Sequence, residues 1–214
     1  MFSFIVVSHT ATCDPGFSLN DLCGGAGRMD LLARTVQASL CVSHGIREDV
    51  TCYLVMTSDP RGKIIRFEGS QLRRFNPDER STAALIKKAL AVRTGSLFRE
   101  ATPGVSIRVG GLFELLQALI DAKEHDVKAN ENGEALRVVV LDEHGTDIRE
   151  SGDAVLSDVY ILSDHQNFSD VEKAVIYEEK HNTTLLSLGP VVLHADHAIV
   201  LLHNERDRRL CKGL

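Results

Sequence analysis

The sequence predicts an α/β domain built on a mostly parallel sheet with helices on both faces. Three observations carry that expectation. Short β-branched apolar runs recur along the chain, at residues 2–8 (FSFIVVS), 137–141 (RVVVL) and 158–162 (DVYIL). Such runs are nearly continuous where a central strand is buried on both faces. Between them apolar residues return at helical spacing, so strands and helices alternate. With 214 residues, 43% of them hydrophobic, the chain suffices for one domain (1–214) with a well-buried core.

Taken in order, the first strand is followed by a polar loop with Pro15, Gly16 and the cluster Gly24-Gly25-Ala26-Gly27. From Arg28 the spacing of Leu31, Leu32, Val36 and Leu40 predicts a helix reaching His44-Gly45, where Gly45 suits a left-handed cap. Strands are expected at 51–56 and 63–67, joined by the turn Asp59-Pro60-Arg61-Gly62. Asn76 as cap, Pro77 at the first helical position and Glu79 as the acid of a capping box predict a helix to about residue 92. A strand at 105–109 breaks at Gly110-Gly111, and a helix follows over 112–123, then a polar loop at 130–133. After the RVVVL and DVYIL strands, Ser169 and Glu172 form a second capping box opening a helix to about residue 180. A strand at 183–188, the turn Leu188-Gly189-Pro190 and a helix over 196–210 close the chain.

The net charge of −6 is unevenly spread. Residues 61–99 hold ten Lys and Arg against Glu68, Asp78 and Glu79, about +7, which leaves about −13 elsewhere. A basic segment of this kind fits either a solvated face or a nucleic-acid partner. The five cysteines are scattered without a CxxC pair, which suits a reducing, cytoplasmic setting better than a disulfide framework. The longest apolar stretches fall short of the roughly 20 residues of a membrane span.

Ligands of open α/β sheets sit beyond the carboxyl ends of the strands. Three loops there draw notice: 141–145 (LDEHG), 162–165 (LSDH) and 188–190 (LGP). GxGxxG after the first strand and a P-loop are both missing from the sequence, so a dinucleotide or NTP site is not expected. His194, His197 and His203 with Glu205 would be a weak metal pattern, since HxxH lacks the HExxH glutamate. The stretch 24–30 delivers Arg28 and Asp30 onto the first turn of a helix behind a glycine-rich loop, whose N–H groups and guanidinium suit a phosphate or a nucleobase edge.

The motifs Gly27-Arg28-Met29-Asp30-Leu31-Leu32-Ala33-Arg34, Ser43-His44-Gly45-Ile46-Arg47, Pro77-Asp78-Glu79-Arg80-Ser81 and Ala84-Leu85-Ile86-Lys87-Lys88-Ala89-Leu90 resemble those of the archaeal tRNA pseudouridine-54 N1-methyltransferases. So do Leu162-Ser163-Asp164-His165, Ser187-Leu188-Gly189-Pro190 and Leu193-His194-Ala195-Asp196-His197, with His203-Asn204-Glu205 in the closing helix. The resemblance spans nearly the whole chain in the same motif order, while residues 94–102 and 123–134 depart from it. That family lies in the SPOUT methyltransferase superfamily. The resemblance implies a C-terminal trefoil knot, an exception to the rule that chains do not thread their loops, and a homodimer. It also implies S-adenosylmethionine as cofactor, held by Leu141, Leu162, Ser163, Gly189, Leu193, His194 and Ala198, and RNA, tRNA in particular, as substrate.

Pseudouridine exposes an N1–H that must be removed for N1 to attack a methyl group, which calls for a carboxylate near a cation. Asp30 is the expected base or base-orienter, and Arg28 the group that holds a phosphate or the uracil carbonyl. Arg34, Arg73, Arg74 and Arg80 are the expected RNA contacts. Two other classes fit parts of the pattern: an RNA-binding protein that keeps the pocket without turnover, and a metal-dependent hydrolase using the C-terminal histidines.

Overall fold

The computed structural model describes residues 1–73, 75–129 and 135–211; Arg74 and the polar loop expected at 130–133 lie outside the described residues. In chain order the elements are β1 (Phe2–Ser8), α1 (Met29–Leu40), β2 (Cys41–Val42), β3 (Gly45–Ile46), β4 (Val50–Met56), β5 (Lys63–Glu68) and α2 (Glu79–Leu90). There follow β6 (Arg99–Thr102), β7 (Val105–Val109), α3 (Leu112–Ala129), β8 (Val138–Asp147), β9 (Val159–Ser163), α4 (Asp170–Ile176), β10 (Thr183–Ser187) and α5 (Ala195–Cys211).

An eight-stranded sheet runs in the order β10-β8-β9-β1-β4-β5-β7-β6. From β10 to β4 all neighbours are parallel, and β5, β7 and β6 extend the sheet as an antiparallel wing. The apolar run of β1 is explained by its place: β4 and β9 pair with it on either side, and every residue of it is buried. Alternation divides its side chains between two cores. Phe2, Phe4 and Val6 pack with residues of α1, α2 and α5, whereas Ile5 and Val7 pack with α3 and α4. Each such side chain contributes about 1.5–3 kcal/mol by leaving water.

Four local expectations are corrected. α1 stops at Leu40, because Cys41 turns extended and pairs with Ile46 in a small hairpin; Gly45 is a strand residue there and not a helix cap. α2 is capped by Asp78, whose carboxylate accepts from Ser81 N–H at 2.8 Å, two residues beyond the expected Asn76. Asp78 is still extended, at φ −133° and ψ 148°, so the helix starts at Glu79 and Pro77 lies before the cap. β8 continues to Asp147 instead of ending at Leu141. Its register with β10 jumps between Leu185 and Leu186, which makes 141–145 an irregular excursion within a strand. Gly145 permits this, since a Cβ there would stand 2.7 Å from the β10 backbone. β6, in the segment that departs from the archaeal pattern, was not expected at all.

The Ser169–Glu172 capping box is present in both directions, and α4 is shorter than expected, ending at Ile176. Ser169→Ala should cost about 1 kcal/mol in a denaturant titration, the usual loss for a helix cap; no change in midpoint would mean the cap is replaced by solvent.

Candidate active site

Beyond the carboxyl ends of β8, β9 and β10 lies a cleft of about 160 Å³. Its walls come from all three strand ends and from the start of α5. Leu141, Leu162, Ser163, Gly189, Leu193 and Ala198, named from the resemblance, all line it; His194 does not. His194 is exposed and offers its carbonyl to Ala198 N–H as the first bond of α5. Asp142, Glu143, Asp164 and Leu188, from the three loops expected at the strand ends, also line the cleft, and Phe168 joins them from outside those loops. Gly189 has φ 121°, and a Cβ there would point into open space with nothing within 4 Å. An apolar cleft with a few acceptors and a bare backbone at its lip fits an adenine ring and its ribose.

Arg28 and Asp30 stand at the entrance to α1. Gly27 and Arg28 are both left-handed, at φ 64° and 68°. This double turn aims the Arg28 side chain back at Asp30, with Nε 3.1 Å from Oδ1 and Nη2 3.3 Å from Oδ2. Arg34 adds Nη1 at 2.9 Å to Oδ2. Burial opposes the negative charge on Asp30, but the Arg28 and Arg34 hydrogen bonds outweigh it and hold the carboxyl below its ordinary range. The glycine-rich loop does not offer free amides to a ligand. Gly24 and Gly25 N–H donate to the Asp21 carboxylate at 2.9 and 2.7 Å, and Gly27 and Arg28 N–H bond within the loop.

The expected RNA contacts separate. Arg34 is committed to carboxylates: besides Asp30 it meets Asp196 at 3.1 Å and Glu79 at 3.5 Å, and so ties α1 to the starts of α5 and α2. Arg80 is exposed and holds the loop before α1 through the Leu19 carbonyl and the Asn20 side chain. Arg73 is exposed, and its Nη1 donates to the Leu72 carbonyl at 3.1 Å. Arg74 lies outside the described residues. Of the C-terminal histidines, His194 and His197 stand edge to face at 5.9 Å, and His203 is set apart in the core. His203 is buried against Phe2 and Phe4, its Nε2–H donates to the Ser39 carbonyl, and burial lowers its pKa to about 4. Among the described residues no three His, Cys, Asp or Glu side chains form a metal-binding group, and no helix is long and apolar enough to cross a membrane.

One further cluster abuts the cleft. His9, just past β1, places Nδ1 2.9 Å from Asp164 Oδ1 and Nε2 3.0 Å from Glu172 Oε2. Burial opposes the charge on His9, and the hydrogen bonds to Glu172 and Asp164 overcome it and raise its pKa. The same bonds to His9 overcome burial at both carboxyls and lower them. The His9 contribution to stability is therefore complete below its ordinary value of 6.5 and is lost as pH rises through the raised one. The acids contribute above 3.8 and 4.5, and their share is lost as pH falls through the lowered values.

Residues 1–210 match a family model described as "Putative SAM-dependent RNA methyltransferase". A tRNA (pseudouridine(54)-N(1))-methyltransferase of Methanospirillum hungatei is 48% identical over 210 residues, covering 98% of this chain and 97% of the relative. The enzyme of the same name from Methanococcoides burtonii is 44% identical over 98% of each chain. Among solved structures, Archaeoglobus fulgidus Nep1 bound to S-adenosylhomocysteine superimposes with a TM-score of 0.65 at 13% identity, over 98% of this chain and 99% of that one, a likeness of fold. With its length, motif order and cleft all in agreement, the chain belongs to the S-adenosylmethionine-dependent RNA methyltransferase family that contains the tRNA (pseudouridine(54)-N(1))-methyltransferases.

Proposed function

We propose that the protein methylates N1 of pseudouridine 54 in tRNA, in the cytoplasm. The observation that carries this is the pairing of an apolar cleft at the strand ends with an arginine–aspartate pair at the start of α1. S-adenosylmethionine supplies an electrophilic methyl group on a sulfonium. Leu141, Leu162 and Leu193 would hold the adenine, Gly189 would let the backbone approach it, and Ser163 and Ala198 would complete the walls. His194 stands outside this set, its carbonyl accepting from Ala198 N–H at the start of α5.

Methyl transfer is an in-line displacement, so positioning the nucleophile supplies most of the acceleration. Arg28 holds the uracil carbonyl or a flanking phosphate. Asp30, with both oxygens in hydrogen bonds to arginine, is better suited to orient Arg28 than to take the N1 proton itself, which passes to solvent water as N1 attacks the methyl group. Arg80 and Arg73 extend the contact to the RNA backbone, with Arg74 beside them in sequence. Arg34 supports them from within its carboxylate network.

Two features of the assembly accompany this reading. The first is a C-terminal trefoil knot. Its support is that Arg209 donates to the Ile148, Arg149 and Gly152 carbonyls and Arg206 to that of Ser157, so α5 is clasped to the connection between β8 and β9. The second is a homodimer. Val192 is 78% exposed and Val200 53%, which leaves an apolar surface at the lip of the cleft and on α5.

The test is calorimetric titration with S-adenosylmethionine, with ATP as control, followed by methylation of tRNA carrying pseudouridine or uridine at position 54. Saturable binding of the donor alone and product only with pseudouridine are expected. Equal methylation of the uridine transcript overturns the N1 assignment. RNA binding without product leaves an RNA-binding protein that keeps the pocket.

A further inference from the structure

The segment from Ser163 to Glu172 forms one wall of the cleft through Ser163, Asp164 and Phe168. Two carboxylates organise it. Asp164 Oδ1 accepts from Gln166 N–H at 2.9 Å, closing the turn after β9. Glu172 Oε2 accepts from Ser169 N–H at 2.7 Å and Ser169 Oγ at 2.9 Å, closing the entrance to α4. Phe168 lies between these two turns in sequence. His9 touches both carboxylates, and its backbone N–H also donates to Asp164 Oδ2 at 2.7 Å. The imidazole therefore bridges the two ends of the wall from the end of β1, a strand buried along its whole length.

Protonation follows from this geometry. A neutral imidazole has one N–H and one lone pair, so one carboxylate would face the lone pair. Only the doubly protonated ring donates to both. The Asp164 side chain is 2% exposed, which makes water a poor substitute for the lost donor. The charged groups facing the ring are Asp164 from the loop after β9 and Glu172 from α4. His165, 3.8 Å from Asp164 Oδ1, is the next titratable neighbour.

We propose that His9, doubly protonated, is a positioning residue for the methyl donor: by bridging Asp164 and Glu172 it fixes the cleft wall carrying Phe168, and its deprotonation loosens the donor. This rests on the assignment of the cleft to S-adenosylmethionine. Linkage makes the effect reciprocal, so a bound donor also holds the proton on His9 more tightly. The raised pKa of His9 agrees with the geometry.

The test is calorimetric titration of the full chain with S-adenosylhomocysteine from about pH 6 to about pH 9.5, a range that brackets a raised histidine. Wild type and His9→Gln are compared. The ligand's own amino group titrates in both, so the readout is the ratio of the two affinities. Wild type is expected to bind about tenfold or more tighter at the acid end, and the ratio to shrink as pH rises. Amide hydrogen exchange across 163–172 in the ligand-free wild type should quicken relative to the rest of the sheet over the same pH range, a measurement that needs no variant. A ratio independent of pH, or exchange in this segment that keeps pace with the sheet, overturns the role of His9. Absence of binding at every pH overturns the donor assignment as well, and with it everything built on the cleft.

Discussion

Arg28→Ala is expected to slow single-turnover methylation of pseudouridine-containing tRNA by about 10²- to 10³-fold, the usual loss for one preorganised donor at a reacting group. The size follows from how firmly the side chain is set. Its backbone is held left-handed at φ 68°, its N–H bonds back to the Cys23 carbonyl, and its guanidinium is oriented by Asp30. A group fixed before the substrate arrives needs no reorganisation during reaction. Arg28 lines no part of the cleft, so S-adenosylhomocysteine affinity should stay within about twofold of wild type, as expected when an interaction acts only in the transition state. Asp30→Asn should fall between, since the amide still accepts one bond from Arg28 but loses the charge that holds it. Full single-turnover rate in Arg28→Ala would remove the arginine from the mechanism. Loss of donor affinity instead would mean that α1 and the cleft are mechanically joined, with Arg34 and Asp196 as the joint.

The sequence made the parallel half of the sheet legible because β1 and β9 are buried on both faces, so their apolar runs carry no competing signal. The wing was harder to read. Among the described residues β6 pairs with β7 alone and is half exposed, so Arg99-Glu100 looks like loop. β8 reads as ending at Leu141 because its continuation is polar: Asp142 and Glu143 run along the cleft and not in the core. The residues that the family resemblance assigns to the methyl donor line the cleft, His194 excepted. The His9 bridge stayed hidden. Its partners are 155 and 163 residues away, and a lone histidine after a strand carries no local pattern. The carboxylate partners of Arg34 are hidden for a related reason. An arginine in the second turn of a helix carries no sign of them in sequence, and only the fold brings Asp196 and Glu79 to it.

Gly27→Ala should lose about 3 kcal/mol or more of stability, read as a lower denaturant midpoint with an unchanged m-value. Two costs combine. At φ 64° an alanine enters the left-handed region, which costs about 1–2 kcal/mol without any contact. Its Cβ would then lie 2.0 Å from the Thr10 carbonyl oxygen and 2.9 Å from the Thr10 carbonyl carbon, both backbone atoms that no side-chain rotation relieves. That backbone cannot retreat freely, because Thr10 Oγ1 donates to the Gly27 carbonyl and Thr12 N–H to that of Ala26, stapling the segment after β1 to the loop before α1. Relief must come from displacing residues 24–28, which carries Arg28 away from Asp30. The variant should therefore lose methyl-transfer rate as well as stability, and the rate loss should persist at temperatures where it is fully folded. Lowered stability with a normal rate would show that Arg28 keeps its aim by another route. An unchanged midpoint would show that the segment after β1 and the glycine loop do not meet as described.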